Sequence, residues 1–306
     1  MKRVFITGIT GMIGTALSKH LISKGHEVGG ISRSTSSSRM ANTNHYLGDI
    51  LDKGFIGKSI FDFKPDVVFH LAAQAFNGNS WDCENTTYLT NIQGSKNVFD
   101  ACRNWENASV IPACSSAQYG RSKVSVKESD PLNPITPYGV SKACMEMMGR
   151  QYGTNYYIPF MFPRLFINVG TGHPPATLIQ NIGRQFAESV KYGKKKFYIG
   201  NVDSLRDYID VEDGVEALEL LMNSGENLES YNVCSGQEYS VIDIVNMFID
   251  VSGVNPEMLT DVTLLRPSDE SRLLGDPSKI NRLGWEAKIP MEQTIEKVFN
   301  DWRNRV

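Results

Sequence analysis

The sequence predicts an α/β fold in which a doubly wound parallel sheet is followed by a smaller C-terminal lobe. Apolar strand patterns alternate with helical patterns through the first half of the chain, and this alternation is typical of a parallel sheet covered by helices on both faces. A glycine-rich turn joins the first strand to the first helix. Pro174-Pro175 then ends the alternation, and the second half of the 306 residues is less regular.

The strands of the first half are expected to be short and apolar, and they lie at 4–6, 27–32, 45–47, 67–71, 110–114 and 158–165. Helical patterns occupy the segments that begin at 16 and run over 80–104 and 137–152. In the second half we expect helices at 177–190, 211–222, 241–251 and 291–302, and strands at 197–199 and 207–209. These patterns predict a dinucleotide-binding domain over 1–165, with a returning segment around 203–235, and a lobe over 166–306 that is mainly substrate-binding.

Composition and charge exclude several classes of protein. The hydrophobic content of 41%, the charged content of 21% and the net charge of −3 are ordinary for a globular protein and do not favour a nucleic-acid partner. The chain enters a strand at once and has no apolar run of membrane-spanning length, so we expect neither a signal peptide nor a membrane anchor. The five scattered cysteines lack metal-ligand spacing and predict a metal-free protein of the reducing cytoplasm.

The glycine turn is the strongest local motif. Gly8, Gly11 and Gly14 follow the first strand at three-residue steps, the arrangement of a Rossmann-type dinucleotide site. In such a site the first glycine permits a tight turn, the second lets the pyrophosphate approach the backbone, and the third allows close packing of helix and strand. A glycine turn without a ligand is the alternative. The expected cofactor contacts here are Gly8, Thr10, Gly11, Met12, Ile13 and Gly14.

The second strand indicates which dinucleotide binds. Its end, Ile31-Ser32-Arg33-Ser34, carries no acidic residue of the kind that binds the ribose hydroxyls of NAD. Arg33 can pair with a 2′-phosphate and Ser34 can donate to it, so the sequence favours NADP(H) over NAD(H). Arg33 as a solvated loop residue is the alternative. Asp49 and the adjacent Ile50 follow the third strand, where they can contact the adenine.

Ligands of a parallel sheet bind beyond the carboxyl ends of its strands. Predicted strands end at Gly8, Asp49, Ala72 and Ser115, so these residues are expected to line one crevice. Ser115 and the following Ser116 bring hydroxyl groups to it.

A tyrosine and a lysine complete this candidate site. Tyr138 and Lys142 lie four apart in a helical pattern, so their side chains share one face. A neighbouring ammonium favours the phenolate, which predicts a lowered pKa for Tyr138 and a role as acid or base. The same spacing occurs at Tyr119–Lys123 and Tyr192–Lys196, but only Tyr138 follows a proline helix start. With Ser115, the pair predicts a site for carbonyl/alcohol redox chemistry.

These motifs resemble the extended short-chain dehydrogenase/reductase superfamily, whose members act on nucleotide sugars. The segments that carry the resemblance are 8–14, 70–73, 115–120 and 138–142. Within the superfamily, the chain is similar to the GDP-mannose-type dehydratases and reductases, and most of all to the GDP-4-keto-6-deoxy-D-mannose reductases. That second similarity rests on the segments 200–208, 231–236, 265–269, 274–279 and 283–285.

The resemblance implies further site residues. NADP(H) would also contact Leu71, Ala72, Ala73, Tyr138, Lys142 and Leu165. The nucleotide sugar would contact Ser116, Asn168, Arg206, Arg266 and Asp269, with the arginines on phosphates and Asp269 on the ribose. Ile167 stands where these reductases usually carry an asparagine, and Asn168 follows it.

The residues after Ser115 distinguish the reactions of the family. Related 4,6-dehydratases carry a glutamate that removes a proton, whereas this chain has Ser116 and Ala117, and the amide of Gln118 is no base. The resemblance therefore implies hydride transfer from NADPH to the C4 ketone of a nucleotide-linked 4-keto-6-deoxy sugar, giving GDP-D-rhamnose or a related sugar. Tyr138 would donate the proton, Ser115 would hold the oxygen, and Lys142 would hold the ribose.

Three alternatives stay open at this point: an NAD(P)-dependent nucleotide-sugar 4-epimerase, a 4,6-dehydratase, and a cofactor-binding protein that has lost catalysis. The resemblance also implies a homodimer, in which the helices at 80–104 and 137–152 pair into a four-helix bundle. Ala143, Met147 and Met148 are candidates for that interface, and packing in the core is an equally good explanation of them.

Overall fold

A computed structural model describes residues 1–34, 42–105, 107–202, 204–264 and 271–306. Five parallel strands form the main sheet in the order β3-β2-β1-β4-β5. They are β1 (Arg3–Thr7), β2 (Glu27–Ser32), β3 (Asn44–Leu47), β4 (Val67–His70) and β5 (Ser109–Pro112). The strand order reverses beside β1, and the predicted parallel α/β fold of Rossmann type is confirmed.

Three further strands extend the parallel arrangement beyond β5. Val110 bridges Phe160 in parallel, and β7 (Phe162–Leu165) pairs with both β6 (Cys114–Ser115) and β11 (Ser230–Val233). The sequence predicts one strand over 110–114, but the structure interrupts it at Ala113. At that residue the carbonyl of Ala113 accepts a hydrogen bond from the Lys142 side chain at 2.8 Å.

Helices cover both faces of the sheet, so successive residues of β1 enter different cores. Val4 and Ile6 pack with α1 (Met12–Ser23) and α7 (Val211–Ser224). Phe5 packs on the other face, against α2 (Lys53–Phe63), α4 (Ser95–Trp105) and α5 (Pro137–Tyr156). This alternation is what a strand buried on both faces requires.

Two helical regions differ from the sequence-based expectation. Helix α2 is not predicted, yet the Asp52 carboxylate caps it by accepting from the Phe55 N–H. The single helix expected over 80–104 is instead a 3-10 turn (Gly78–Ser80), α3 (Glu84–Tyr88), a π-helical turn (Leu89–Gly94) and α4. The π-helical turn holds Asn91, whose amide is bonded to the backbone of Gln74 at 2.8 and 3.1 Å.

In the second half of the chain a separate hydrophobic core forms. Its helices are α6 (Leu178–Tyr192), α8 (Val241–Ser252) and α10 (Met291–Arg305). Strand β10 (Leu205–Asp210) pairs with β8 (Ile167–Val169), β12 (Glu238–Ser240) and β14 (Arg272–Leu273). The remaining elements are β9 (Lys196–Ile199), its partner β13 (Glu257–Thr260), and the short α9 (Ser278–Asn281). Within the described part of the chain, no helix combines the length and apolar character that crossing a membrane requires.

Candidate active site

The glycine loop has the geometry that a dinucleotide site needs. Gly8 has a φ of +73°, and a Cβ there would lie 2.9 Å from the Ala72 backbone, so only glycine fits. A Cβ at Gly14 would lie 2.3 Å from the Gly8 carbonyl oxygen. Gly14 therefore allows α1 to pack closely against the backbone that directly follows β1.

The start of α1 fits an anionic ligand. Gly11 occupies the N-cap position, and no side chain of the described residues caps the helix there. A Cβ at Gly11 would approach one described atom, the Gly8 carbonyl oxygen at 3.2 Å, and would otherwise enter open space. Uncapped N–H groups and an unobstructed approach are the features with which such a loop holds a pyrophosphate. Met12 and Ile13 form the first turn and are partly buried against the core.

The end of β2 lies beside the glycine loop, because the Gly8 N–H donates to the Ile31 carbonyl at 2.9 Å. Arg33 and Ser34 follow Ile31 after one residue, Ser32, and both are exposed. The Ser32 hydroxyl donates to the Ser34 carbonyl at 2.7 Å and shapes this turn. The structure thus places the two residues predicted to bind a 2′-phosphate next to the predicted pyrophosphate site.

The other predicted cofactor residues follow neighbouring strands. The Asp49 carboxylate accepts from the Leu51 N–H at 3.0 Å, and the Ile50 side chain is buried in the core, so only its backbone is placed to meet a ligand. The Ala72 N–H is bonded to the Thr7 hydroxyl at 3.1 Å. Other predicted contacts that sit at strand ends are Leu71, Ala73 and Leu165.

The structure brings Ser115, Tyr138 and Lys142 together. Ser115 ends β6 opposite Leu165, and its side chain lies close enough to Tyr138 to favour the phenolate form of that residue. Thr136 caps α5 by accepting from the Gly139 N–H at 3.0 Å, which fixes the turn that carries Tyr138. The Lys142 ammonium lies 5.8 Å from the centre of the Tyr138 ring and donates to the Ala113 carbonyl at 2.8 Å.

The electrostatics of this cluster differ from the prediction. Burial raises the pKa of Tyr138 to about 12, against the opposing effect of the nearby Ser115 side chain. Burial also lowers the pKa of Lys142 to about 8. The expectation that Lys142 lowers the pKa of Tyr138 is therefore wrong for this structure, because desolvation of the phenolate dominates. A Tyr138 that stays protonated at neutral pH is suited to donate a proton.

The competing tyrosine–lysine pairs do not form such a cluster. Tyr119 is buried, donates to the Asn232 amide oxygen at 2.7 Å and accepts from Arg164 at 2.8 Å. Tyr192 is 59% exposed at the end of α6. Among the three spacings, the one at Tyr138 places both side chains on one helix beside Ser115.

Sequence reasoning missed a buried polar network behind Ser115. The Gln118 amide accepts from the Ser115 N–H at 2.7 Å and donates to the Glu146 carboxylate at 2.9 Å. Glu146 forms an ion pair with Arg164 at 2.7 Å. Burial by itself would raise the pKa of Glu146, but the hydrogen bonds from Arg164 lower it to about 2. The available signal was the spacing, since Glu146 follows Tyr138 and Lys142 at the same interval of four residues.

Ser116, Arg206 and Asn168 are the predicted substrate residues that the structure describes. Ser116 is buried in a 3-10 turn after Ser115, and Arg206 is buried on β10 with its guanidinium donating to the Leu205 carbonyl at 2.9 Å. The Asn168 amide donates to the Phe166 carbonyl at 2.9 Å, and a Cβ at Gly214 of α7 would lie 2.1 Å from its oxygen. The side chain of Asn168 is therefore directed to α7.

Arg266 and Asp269 lie outside the described residues. Ile167, which stands where the related reductases usually carry an asparagine, is 37% exposed. The roles of all the predicted substrate residues remain predictions.

The fold, the glycine loop and the Ser115–Tyr138–Lys142 cluster define an enzyme of the extended short-chain dehydrogenase/reductase class. Comparison with known proteins gives the same class and narrows it. A model of the GDP-mannose 4,6 dehydratase family matches residues 5–298, and the chain belongs to that family.

Individual relatives have different activities. The chain is 26% identical to GDP-6-deoxy-D-mannose reductase of Pseudomonas aeruginosa, over all of this chain and 98% of the relative. It superimposes on the structure of RMD from Pseudomonas aeruginosa complexed with NADPH with a TM-score of 0.88, at 25% identity over all of both chains. The UDP-glucose 4-epimerase of Thermus thermophilus complexed with NAD gives a TM-score of 0.90, at 27% identity over 99% of this chain and 100% of that one.

These likenesses relate the chain to NAD(P)-dependent enzymes of sugar nucleotides and support an enzyme of oxidoreductase type. One of the two similar structures holds NADPH and the other NAD.

Proposed function

We propose that the protein reduces the C4 ketone of a nucleotide-linked 4-keto-6-deoxy sugar with NADPH. The substrate that fits best is GDP-4-keto-6-deoxy-D-mannose, and the product is GDP-D-rhamnose or a related 6-deoxy sugar. One observation carries the proposal. The chain retains Ser115, Tyr138 and Lys142 close together, while the buried Ala117 stands where the related dehydratases carry their glutamate.

The chain offers a complete set of groups for the cofactor. The N–H groups at the start of α1 would hold the pyrophosphate, Arg33 and Ser34 the 2′-phosphate, and Lys142 the nicotinamide ribose. When bound, the reduced nicotinamide supplies hydride. NADP(H) rather than NAD(H) follows from the exposed Arg33 beside the glycine loop and from the lack of an acidic residue in 31–34.

Tyr138 acts as the general acid in this proposal. Its hydroxyl donates a proton to the C4 oxygen as that oxygen becomes an alkoxide, and the Ser115 hydroxyl holds the same oxygen. Because burial raises the pKa of Tyr138 to about 12, the phenol is in the protonated form that a reduction needs.

Glu146 cannot replace the missing dehydratase base. Its side chain is 1% exposed and paired with Arg164, and these bonds lower its pKa to about 2. A carboxylate held in this way neither reaches a substrate nor takes up a proton at neutral pH. Substrate phosphates are assigned to Arg206 and Arg266, the ribose to Asp269, and the sugar to Ser116 and Asn168.

A nucleotide-sugar 4-epimerase is the second candidate, and the likeness to the Thermus thermophilus enzyme favours it. An epimerase shows no net redox change, so consumption of NADPH separates the two. A 4,6-dehydratase is disfavoured by Ala117, and an inactive cofactor-binding protein by the intact cluster.

The decisive assay incubates the protein with NADPH and GDP-4-keto-6-deoxy-D-mannose. Parallel reactions contain other nucleotide-4-keto-6-deoxy sugars, and a third set contains NAD⁺ with UDP-glucose. We expect the absorbance of reduced nicotinamide to fall with the GDP sugar. Epimerised UDP-sugar without a net absorbance change would replace the proposal with the second candidate.

We also propose a homodimer formed through the helical region of 80–104 and α5, and a cytoplasmic location. Met147 is 60% exposed on α5 and suits an interface, whereas Ala143 and Met148 pack inward. Sedimentation of the Met147→Glu variant tests the dimer, since a buried carboxylate should dissociate it. The cysteines of the described residues are all free thiols, as a reducing compartment requires.

A further inference from the structure

We propose that Gln118 is a positioning residue, which holds Ser115 where its hydroxyl and that of Tyr138 meet the same substrate oxygen. The inference rests on the proposed function for the reaction, but the placement of Ser115 can be tested separately. Gln118 has no contact with Tyr138, Lys142 or the glycine loop among the contacts the structure describes.

A short turn determines the local geometry of Ser115. This residue caps the 3-10 turn Ser116–Gln118, and its hydroxyl oxygen accepts from the Ala117 N–H at 3.2 Å. The Gln118 side chain folds back and accepts from the Ser115 N–H at 2.7 Å. This reciprocal pair fixes the backbone of Ser115 and the direction of its side chain together.

The amide nitrogen of Gln118 is anchored by a buried ion pair. It donates to the Glu146 carboxylate at 2.9 Å. The two carboxylate oxygens of Glu146 accept from Arg164 at 2.7 and 3.0 Å. The side chains of Glu146 and Arg164 are 1% and 5% exposed, so this end of the amide is held by an ion pair that water does not loosen.

The contacts at position 118 require an amide side chain. A buried group at position 118 must accept a hydrogen bond at one end and donate one at the other, and an amide does both. A methionine of similar length does neither and leaves the Ser115 N–H without a partner. A glutamate keeps the acceptor, but it can donate to Glu146 only when it is protonated.

Helix α5 connects the proposed acid with the residue that anchors Gln118. The same helix carries Tyr138, which lies close to Ser115, and Glu146, which holds Ser115 through Gln118. Gln118 therefore ties Ser115, at the end of β6, to the helix that carries the acid, and it opposes a shift of one relative to the other. Such coupling matters because misplacing a reacting group by about 1 Å costs about 10²-fold in rate.

The main experiment compares Gln118→Met with Gln180→Met. Gln180 is a matched control, since it is also a buried amide that bridges two groups, the Gly170 carbonyl and the Trp302 indole N–H, at 2.8 Å each. For Gln118→Met we expect kcat to fall about tenfold with little change in the NADPH dissociation constant. The isotope effect with NADPH deuterated at the transferred position should rise, because the chemical step becomes slower. For Gln180→Met the melting temperature should fall without a rise in the isotope effect.

Two further variants distinguish the positioning of Ser115 from a purely structural role of Gln118. In a Ser115→Ala background, Gln118→Met should lower kcat less than about twofold, because the group that it positions is gone. A full tenfold loss in that background would overturn the proposal. Gln118→Glu, which keeps the length and the acceptor, should approach wild-type activity as the pH is lowered and its carboxyl group becomes protonated. A deficit that does not depend on pH would also contradict the inference.

A crystal structure of Gln118→Met tests the placement without any substrate. We expect the Ser115 hydroxyl to move relative to the Tyr138 hydroxyl, and an unchanged position of Ser115 would overturn the proposal. If the wild-type protein reduces no nucleotide sugar, the proposed function fails, and this structural result still decides the role of Gln118.

Discussion

Two regions of the molecule hold their polar groups in opposite ways. Behind Ser115, the carboxylate of Glu146 accepts hydrogen bonds from Gln118 and Arg164, and all three side chains are buried. On β8, at the edge of the lobe, Ile167 is 37% exposed, and the buried oxygen of Asn168 has no hydrogen-bond partner among the described residues. The first region is therefore stabilised by mutually paired polar groups, and the described part of the second is not.

The same contrast appears in two ion pairs of nearly equal length. The Arg164–Glu146 pair lies at 2.7 Å with side chains 5% and 1% exposed. The Arg272–Glu238 pair of the lobe lies at 2.6 Å with side chains 25% and 31% exposed. Burial rather than distance decides how costly it is to remove one partner.

The largest expected effect concerns Tyr138. Tyr138→Phe removes the proposed proton donor and keeps the ring, so turnover should fall about 10³-fold while NADPH binding stays nearly intact. Turnover with GDP-4-keto-6-deoxy-D-mannose and NADPH binding by fluorescence measure the two quantities. Tyr192→Phe, at a residue 59% exposed, is the control and should behave as wild type. Undiminished turnover of Tyr138→Phe would remove this residue from the proposed role.

The second effect is on stability. Arg164→Met removes the buried ion-pair partner of Glu146 and leaves it with Arg150, whose side chain is 41% exposed. We expect the free energy of unfolding to fall by about 3 kcal/mol. Arg272→Met breaks the partly exposed pair and should cost less than about 1 kcal/mol. Urea unfolding of both variants measures the difference. Equal losses would show that the two regions do not differ as the burial of their ion pairs indicates.

A fall in pH should narrow the difference in unfolding free energy between the wild type and Arg164→Met. The folded-state pKa of Glu146 is lowered from 4.5 to about 2, chiefly by Arg164 acting against burial. The stabilisation from this pair is therefore complete above pH 4.5 and is lost as the pH falls toward 2. Unfolding measured between pH 7 and pH 3 should show the wild type approaching Arg164→Met as the pH falls. A gap that widens in acid would contradict the assignment.

The sequence predicted the parts of the site that depend on local spacing. The glycine loop, Ser115 and the pair Tyr138–Lys142 are each readable within a few residues, and the structure brings the last three together. The Gln118–Glu146 contact spans 28 residues of sequence, so only the packing of α5 on β6 reveals it. The pKa of Tyr138 was misjudged for the same reason, because burial is a property of the folded chain.

The fold was predicted in outline and missed in its irregular parts. Helix α2 carries Ile56, Ile60 and Phe63 on its buried face, but Gly54 and Gly57 weaken the helical pattern in the sequence. The expected helix over 80–104 widens into a π-helical turn over Leu89–Gly94, where the Asn91 amide bonds to the backbone of Gln74. In both cases tertiary contacts override local propensity.

A smaller effect should appear at the cofactor end. Arg33→Ala should weaken NADPH binding about tenfold and leave NADH binding unchanged, because one charge-assisted contact to the 2′-phosphate is lost. Titration of both cofactors measures this preference. Arg282→Ala, at another exposed arginine, is the control. Equal weakening for the two cofactors would contradict a role for Arg33 in selecting NADP(H).

The smallest effect probes the exposed edge of the lobe. Ile167→Asn restores the asparagine that the related reductases usually carry, and an added hydrogen bond to a phosphate should lower the KM for the GDP sugar about threefold. The melting temperature should not change, because the side chain is 37% exposed. Ile242→Asn, at a residue 36% exposed on α8, is a matched control that should leave KM unchanged. A KM unchanged in both variants would mean that position 167 does not meet the nucleotide, and substrate choice would then depend on other residues of the lobe.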